Sequence, residues 1–340
     1  MKLGIFKVNQ LGDNVVFLPV VQALRRRFPA WRLDLFTSPV AAELFAADLP
    51  PAQIHAMPTA EFNGAWKRPA TLARLWREVA RARLDATLIA DDQGNVAHLL
   101  ARLAGGRVRV GILPRFIKMR GGLTDIVPLA PTLPVAQVNW EIARALVHRL
   151  GGGDWPATPP APDLAHLSGD AVPVAGRIVI HSGASLAYKR WLPERFVALA
   201  NRLAERFEVL WIEQPHTPAA ELSPQVQRVA PASLGAFVTT LRSASLLVGN
   251  NSGPMNLAAA MGCPAVILSG PSHPVWDPIW HADRILILRA PGLACLPCDP
   301  LERPAGFCQN AAEPMACMTH WSVDDVAGRT VAWLERWAGQ

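Results

Sequence analysis

Charge is scarce in this sequence. Only 18% of its 340 residues are charged while 51% are hydrophobic, which excludes global disorder and leaves enough apolar mass for a large buried core. It has no dense Lys/Arg block and no nucleic-acid-binding motif, which argues against RNA or DNA as a partner. It also has no run of about 18 uncharged apolar residues, so no membrane-spanning helix is expected. The N-terminus, MKLGIFKVNQLGDNVV, is broken by Lys7, Asn9, Gln10 and Asp13. It therefore does not read as a signal peptide. The expected location is the cytoplasm, where thiols stay reduced.

The chain does have a regular alternation of short apolar runs with helical patterns. Leu3 to Val8 reads as a strand, Gln10 to Asp13 as a turn, and Val15 to Phe28 as a helix stopped by Pro29. Further strands are predicted at 32–37, 53–57, 86–90 and 107–112, with helices at 39–47, 70–83, 95–104 and 137–150. Residues 151–173, GGGDWPATPPAPDLAHLSGDAVP, are too rich in Gly and Pro for a helix or a central strand. The alternation then restarts, with strands at 177–181, 207–212, 245–248 and 264–268 and helices at 193–206, 233–243 and 254–261. Ser322 to Trp337 is a final helix with Ser322 as its N-cap. The predicted class is α/β. It comprises a Rossmann-like domain at 1–155, a linker at 156–176, a second Rossmann-like domain at 177–320 and a C-terminal helix at 321–340.

Three strand-to-helix turns carry candidate chemistry, because ligands of open α/β sheets sit outside the carboxyl ends of the strands. The turn GNNSGP offers Asn250, Asn251, Ser252, Gly253 and Pro254 before a helix that begins with Met255 and Asn256. Small residues, hydroxyls and unpaired amides at a helix start suit a phosphate, although Asn and Ser there also suit ordinary capping. The turn SGASLAYKRW supplies Ser182, Ser185 and Lys189. That lysine is either a counter-charge for phosphate or a solvated loop residue. The turn QLGDN supplies Asp13, which either complements the helix dipole or acts as a general base.

Together these stretches resemble glycosyltransferase family 9, the bacterial heptosyltransferases of lipopolysaccharide core assembly. The matching segments are KVNQLGDNVVFLPVVQALRRRFP, GASLAYKRWLPERF and LVGNNSGPMNLAAAMGCP followed by SGP. The resemblance implies a GT-B fold, with two Rossmann-like domains whose parallel sheets face across a cleft. It also implies inverting transfer without a catalytic metal. The donor, ADP-heptose as first candidate, is expected on the C-terminal domain and the acceptor on the N-terminal one. Residue by residue, Asp13 matches the family's base and Lys189 the lysine that stabilises the leaving diphosphate. Ser252, Gly253 and Pro254 match the phosphate-binding turn, flanked by Ser182, Ser185, Asn250, Asn251 and Asn256 as donor-binding candidates. Asn251 and Asn256 stand where the family often has Asp and His, and this leaves the donor sugar open. Transfer to a protein acceptor, nucleotide-sugar epimerisation and non-catalytic binding of a sugar nucleotide are the alternatives.

Asn9, Gln10, Arg115, Lys118 and Arg120 are acceptor-binding candidates, the last three as a basic loop in VGILPRFIKMRGG. A net charge of +6 fits an anionic acceptor or a peripheral place at the inner membrane surface. Of the five cysteines, Cys263 reads as a small core residue. The other four, Cys295, Cys298, Cys308 and Cys317, form a C-x2-C-x9-C-x8-C run in a Pro-rich loop. In a reducing compartment this pattern suits a structural tetrathiolate site for zinc or iron. Four unligated thiols are the alternative.

Overall fold

The computed structural model describes residues 1–114, 116–119, 121–214, 221–298, 307–308 and 310–338. The chain divides into two compact units, Met1–Pro162 and Asp163–Gln340.

In the first unit the strands are β1 (Lys2–Lys7), β2 (Arg32–Thr37), β3 (Ile54–Ala56), β4 (Ala86–Ile89), β5 (Val108–Gly111) and β6 (Asp125–Ile126). They form one sheet in the order β3-β2-β1-β4-β5-β6, with every neighbouring pair parallel. The helices are α1 (Leu11–Arg27), α2 (Thr59–Gly64), α3 (Pro69–Ala82), α4 (Asn95–Leu103) and α5 (Val135–Arg149). β1 is apolar without alternation because both of its faces are covered, as a parallel sheet requires. Leu3, Ile5 and Phe6 are all fully buried, and Phe6 stacks on Phe36 of β2 with ring centroids 4.8 Å apart.

The second unit repeats this plan. Its strands are β7 (Arg177–His181), β8 (Glu208–Ile212), β9 (Gln227–Val229), β10 (Leu246–Asn250), β11 (Ala265–Leu268) and β12 (Ile285–Leu288). They lie in the order β12-β11-β10-β7-β8-β9, again all parallel. Its helices are α6 (Ala165–Ser168), α7 (Pro193–Ala204), α8 (Leu234–Arg242), α9 (Gly253–Met261), α10 (Ala316–Thr319) and α11 (Val323–Trp337). Counted within each unit, the first strand lies beside the fourth. This is the doubly wound order, and it places a topological switch point between β1 and β4 and another between β7 and β10.

Three sequence expectations need correction. Asp13 does not precede its helix. Gln10 is extended at φ −69°, ψ 169°, and α1 starts at Leu11, which puts Asp13 in the first turn. Its carboxylate there complements the positive end of the helix dipole. Residues 39–45 wind as a 3-10 rather than an α-helix, with Pro39 at the first position and three-residue bonds such as Ala41 N–H to Ser38 O at 3.0 Å. Finally, the Gly/Pro-rich linker holds one helical turn, α6. The Asp163 carboxylate accepts from Ala165 N–H at 2.9 Å, Leu164 and Leu167 are buried, and the Thr239 hydroxyl of α8 donates to Leu167 O at 3.3 Å. Tertiary burial outweighs local composition at this point. The capping of α11 by Ser322 is as expected, with a reciprocal Ser322–Asp325 box. Among the described residues, no helix is long and apolar enough to cross a membrane.

Candidate functional sites at the two switch points

At the first switch point, Lys7 ends β1 fully buried. Its Nζ lies 2.5 Å from Asp91 Oδ1 and 3.1 Å from Asp92 Oδ1. Burial opposes the lysine charge, but Asp91, Asp92 and Asp13 outweigh it and hold the lysine protonated well above its usual range. Burial, then Asp91, with a further push from Asp13, raises the Asp92 carboxyl well above the usual carboxylate range against the pull of Lys7. Asp92 also has a left-handed backbone, φ 49°, a conformation that favours glycine and is kept only where surrounding contacts enforce it.

Those contacts are present. Asn9 Nδ2 donates to Asp92 Oδ2 at 2.8 Å, Gln93 Nε2 donates to Asn9 Oδ1, and Val8 N–H donates to Gln93 Oε1 at 3.1 Å. The loop after β4 is thus bonded to the end of β1. Asn14, also fully buried, then fixes the turn carrying Asp13. Its Nδ2 donates to the carbonyls of Asn9 (3.1 Å) and Gln10 (2.9 Å), and its Oδ1 accepts from Thr37 Oγ1 at 2.9 Å. Lys7 and Asn14 are the residues the sequence analysis missed. The available signal was a lysine inside the apolar strand GIFKV. Of the acceptor candidates, Asn9 belongs to this network and Gln10 is exposed at the start of α1. Lys118 is exposed, and its backbone N–H donates to Asn95 Oδ1 at 2.7 Å. Arg115 and Arg120 lie outside the described residues.

At the second switch point β7 and β10 approach so closely that a Cβ on Gly249 would stand 2.8 Å from the His181 carbonyl oxygen. His181 itself is kept neutral, pushed down to about 4 by burial. Asn250 is engaged within the protein. Its Oδ1 accepts from Trp191 N–H at 2.9 Å and its Nδ2 donates to Ser182 O at 2.8 Å, so it ties β10 to the loop after β7. Asn251 Nδ2 donates to Ser269 Oγ at 3.0 Å. Ser252 is the N-cap of α9 without a side-chain cap bond; its hydroxyl instead donates back to Asn250 O at 3.2 Å. Gly253, Pro254 and Asn256 form the first turn of α9, and the Asn256 Oδ1 atom is buried with no partner among the described residues. Ser185 is exposed and Lys189 half-buried. They lie on the β7 loop, whose conformation is held by Arg190 Nε donating to Ala184 O at 2.8 Å. The donor-binding candidates therefore lie on the segment that follows β7 or between the last residue of β10 and the first turn of α9. The backbone amides and lysine of such a site complement an anion.

Cys317 lies in α10, and the other three cysteines of the run act on its thiol. Burial, then Cys298, Cys308 and Cys295 in that order, pushes the Cys317 thiol up to about 11. Met315 N–H donates to Cys308 Sγ at 3.2 Å, and Asn310 Nδ2 approaches Cys295 Sγ at 3.9 Å. Among the described residues, no three His, Cys, Asp or Glu side chains stand close enough together to hold an ion as placed. Cys263 is buried, and burial pushes its thiol up to about 12.

A search of curated protein sequences found no match. Among solved structures, the chain is similar to E. coli ADP-heptose lipopolysaccharide heptosyltransferase II, with 17% identity, 99% of both chains covered and a TM-score of 0.68. It is also similar to E. coli heptosyltransferase WaaC solved with ADP, at 20% identity, 86% of this chain and 94% of that one, and TM-score 0.68. A third similar structure is the iron-containing dodecameric glycosyltransferase TibC of enterotoxigenic E. coli, at 19% identity, 98% of this chain and 76% of that one, and TM-score 0.60. These likenesses establish the fold, that of the GT-B heptosyltransferases. The sequence profile of glycosyltransferase family 9 (heptosyltransferase) matches residues 72–304, well over half of the sequence, and the chain belongs to that family.

Proposed function

We propose that this protein is an inverting glycosyltransferase that moves a sugar, with ADP-heptose as first candidate donor, onto a hydroxyl of a lipopolysaccharide-type glycan. The observation that carries this reading is positional. The family-matching residues fall on the segments that follow the switch-point strands: Asp13 in the first turn of the helix after β1, Lys189 after β7 and Ser252-Gly253-Pro254 at the start of the helix after β10. Support for the donor comes from the similar WaaC structures, one with ADP and one with ADP-2-deoxy-2-fluoro heptose.

In the proposed reaction the acceptor hydroxyl oxygen attacks the anomeric carbon as Asp13 takes its proton. The bond to the diphosphate breaks and its electron pair leaves with the phosphate oxygen. Lys189 and the amides opening α9 stabilise that developing charge in place before the reaction begins. A single displacement of this kind inverts the anomeric centre.

A thermal-shift panel of ADP, GDP, UDP, CDP and dTDP, each with and without its common sugars, tests the donor site. A nucleotide at about 100 times its Kd adds about 2.7 kcal/mol of stability, so one diphosphate, ADP first, is expected to raise the midpoint clearly above the others. A flat response to the whole panel sinks the reading.

We further propose that Cys295, Cys298, Cys308 and Cys317 hold a structural zinc or iron. The C-x2-C-x9-C-x8-C spacing supports this proposal, because four thiolates suit such an ion and would be neutralised by it. When bound, such an ion would act as a structural cross-link of this segment. Freshly prepared, unchelated protein is expected to contain about one equivalent of metal. Chelation should lower its melting temperature, and metal-free fresh protein rules the site out.

A further inference from the structure

The strongest unexplained feature outside the matched motifs is the buried charge cluster at the first switch point. It sets one ammonium, Lys7, against three carboxylates, Asp91, Asp92 and Asp13. A fully buried lysine is costly unless it is paired. A surface charge on α1 or α4 would do nothing for the sheet, whereas this one joins β1 to the loop after β4 where a ligand is expected to sit.

We propose that Lys7 and Asp92 are positioning residues for Asp13: together they clamp the loop after β4 to the end of β1, and Lys7 supplies the positive charge beside which the Asp13 carboxylate works. The proposal rests on Asp13 being the base.

The mechanical part runs through bonds already described. Lys7 holds both Asp91 and Asp92, Asp92 accepts from Asn9, and the Asn9 carbonyl is held by Asn14 in the first turn of α1. Asp13 is the residue before Asn14, so loosening Asp92 loosens the turn that aims Asp13. The electrical part comes from Lys7, whose ammonium is coupled to Asp13 and favours its ionised form. Asp92 is coupled to Asp13 as well, but its own carboxyl, raised well above the usual range, is uncharged where an ordinary carboxylate titrates. Asp91 completes the cluster around Lys7. Lys7 therefore acts through charge and position and Asp92 through position alone, a split that a purely structural pair would not show.

The test is the pH profile of kcat/KM in Asp92→Asn and Lys7→Met, using the full chain with the donor identified by the nucleotide panel. Asp92→Asn replaces a carboxyl that is already protonated where an ordinary carboxylate titrates, so it is expected to leave the acidic limb in place. Lys7→Met removes a positive charge and is expected to move that limb up by about one pH unit. Both are expected to lower kcat by about tenfold to a hundredfold through misplacement of the base, with donor KM within about twofold of wild type. Lys7→Met leaves buried Asp91 and half-buried Asp92 without their cation and is the variant at risk of misfolding. Asp92→Asn keeps the shape and most of the hydrogen bonds, so it decides the matter alone if circular dichroism shows Lys7→Met unfolded. An unchanged kcat in folded Asp92→Asn, or an acidic limb that fails to rise in folded Lys7→Met, overturns the proposal while Asp13 keeps its role. Wild-type transfer by Asp13→Asn overturns the base assignment, and this proposal falls with it.

Discussion

Asp13→Asn is expected to reduce kcat by about 10²- to 10⁴-fold, the range that a positioned general base contributes, while leaving donor nucleotide binding intact. The substitution is nearly isosteric. Its structural cost includes the lost interaction with the α1 dipole, about 0.3–1 kcal/mol, and the loss of one of the three carboxyl groups that hold Lys7 charged. It also relieves repulsion with Asp92, whose carboxyl feels Asp13, and this offsets part of that loss. Binding and turnover separate because Asp13 and the donor-binding candidates lie in different units of the chain. The measurements are single-turnover transfer and nucleotide titration on the same preparation. Undiminished transfer reduces Asp13 to a dipole-complementing residue and removes the proposed mechanism. Loss of nucleotide binding along with transfer points to misfolding, which circular dichroism on that sample detects.

The fold was legible in the sequence because parallel strands buried on both faces read as plain apolar runs, as in LGIF, RIVI and LLVG. The edge strands β6, β9 and β12 were not predicted. A strand such as Asp125–Ile126 is too short to show a period, and its pairing with β5 comes from the fold rather than from local preference. The helix at Ala165–Ser168 was hidden for a related reason, since buried Leu164 and Leu167 outweigh the surrounding prolines. In the site, the glycine and serine turns were readable because each has a local reason to exist. Lys7 and Asn14 were not. Lys7 has a partner 85 residues away, outside any local window, and Asn14 joins its nearby bonds to Asn9 and Gln10 with one to Thr37, 23 residues away. Asn250 shows the converse. It looked like a ligand contact within GNNSGP, yet both of its side-chain groups are engaged by Trp191 and Ser182.

Trp191 of the KRWLP segment accounts for the second large expected effect. Its side chain is fully buried, meets Phe196 edge-on with centroids 5.0 Å apart, and donates its indole N–H to Trp321 O at 3.1 Å. Trp191→Ala is expected to destabilise the second unit by about 3–5 kcal/mol, a large share of the 5–15 kcal/mol that stabilises a typical domain. The loss is one of packing rather than of an orphaned acceptor, because Trp321 O also accepts from Arg195 Nη1 at 2.6 Å. Trp191→Phe, which keeps a ring and removes the indole N–H, is therefore expected to cost clearly less than Trp191→Ala. Urea unfolding of both variants followed by far-UV circular dichroism checks the order. Lys189 stands two residues before Trp191, and the Trp191 backbone holds Asn250 at the end of β10. Nucleotide affinity is thus expected to weaken in Trp191→Ala even under conditions where the unit remains folded. If Phe costs as much as Ala, the indole hydrogen bond rather than the packing anchors this loop, and the coupling from core to donor site runs through Trp321.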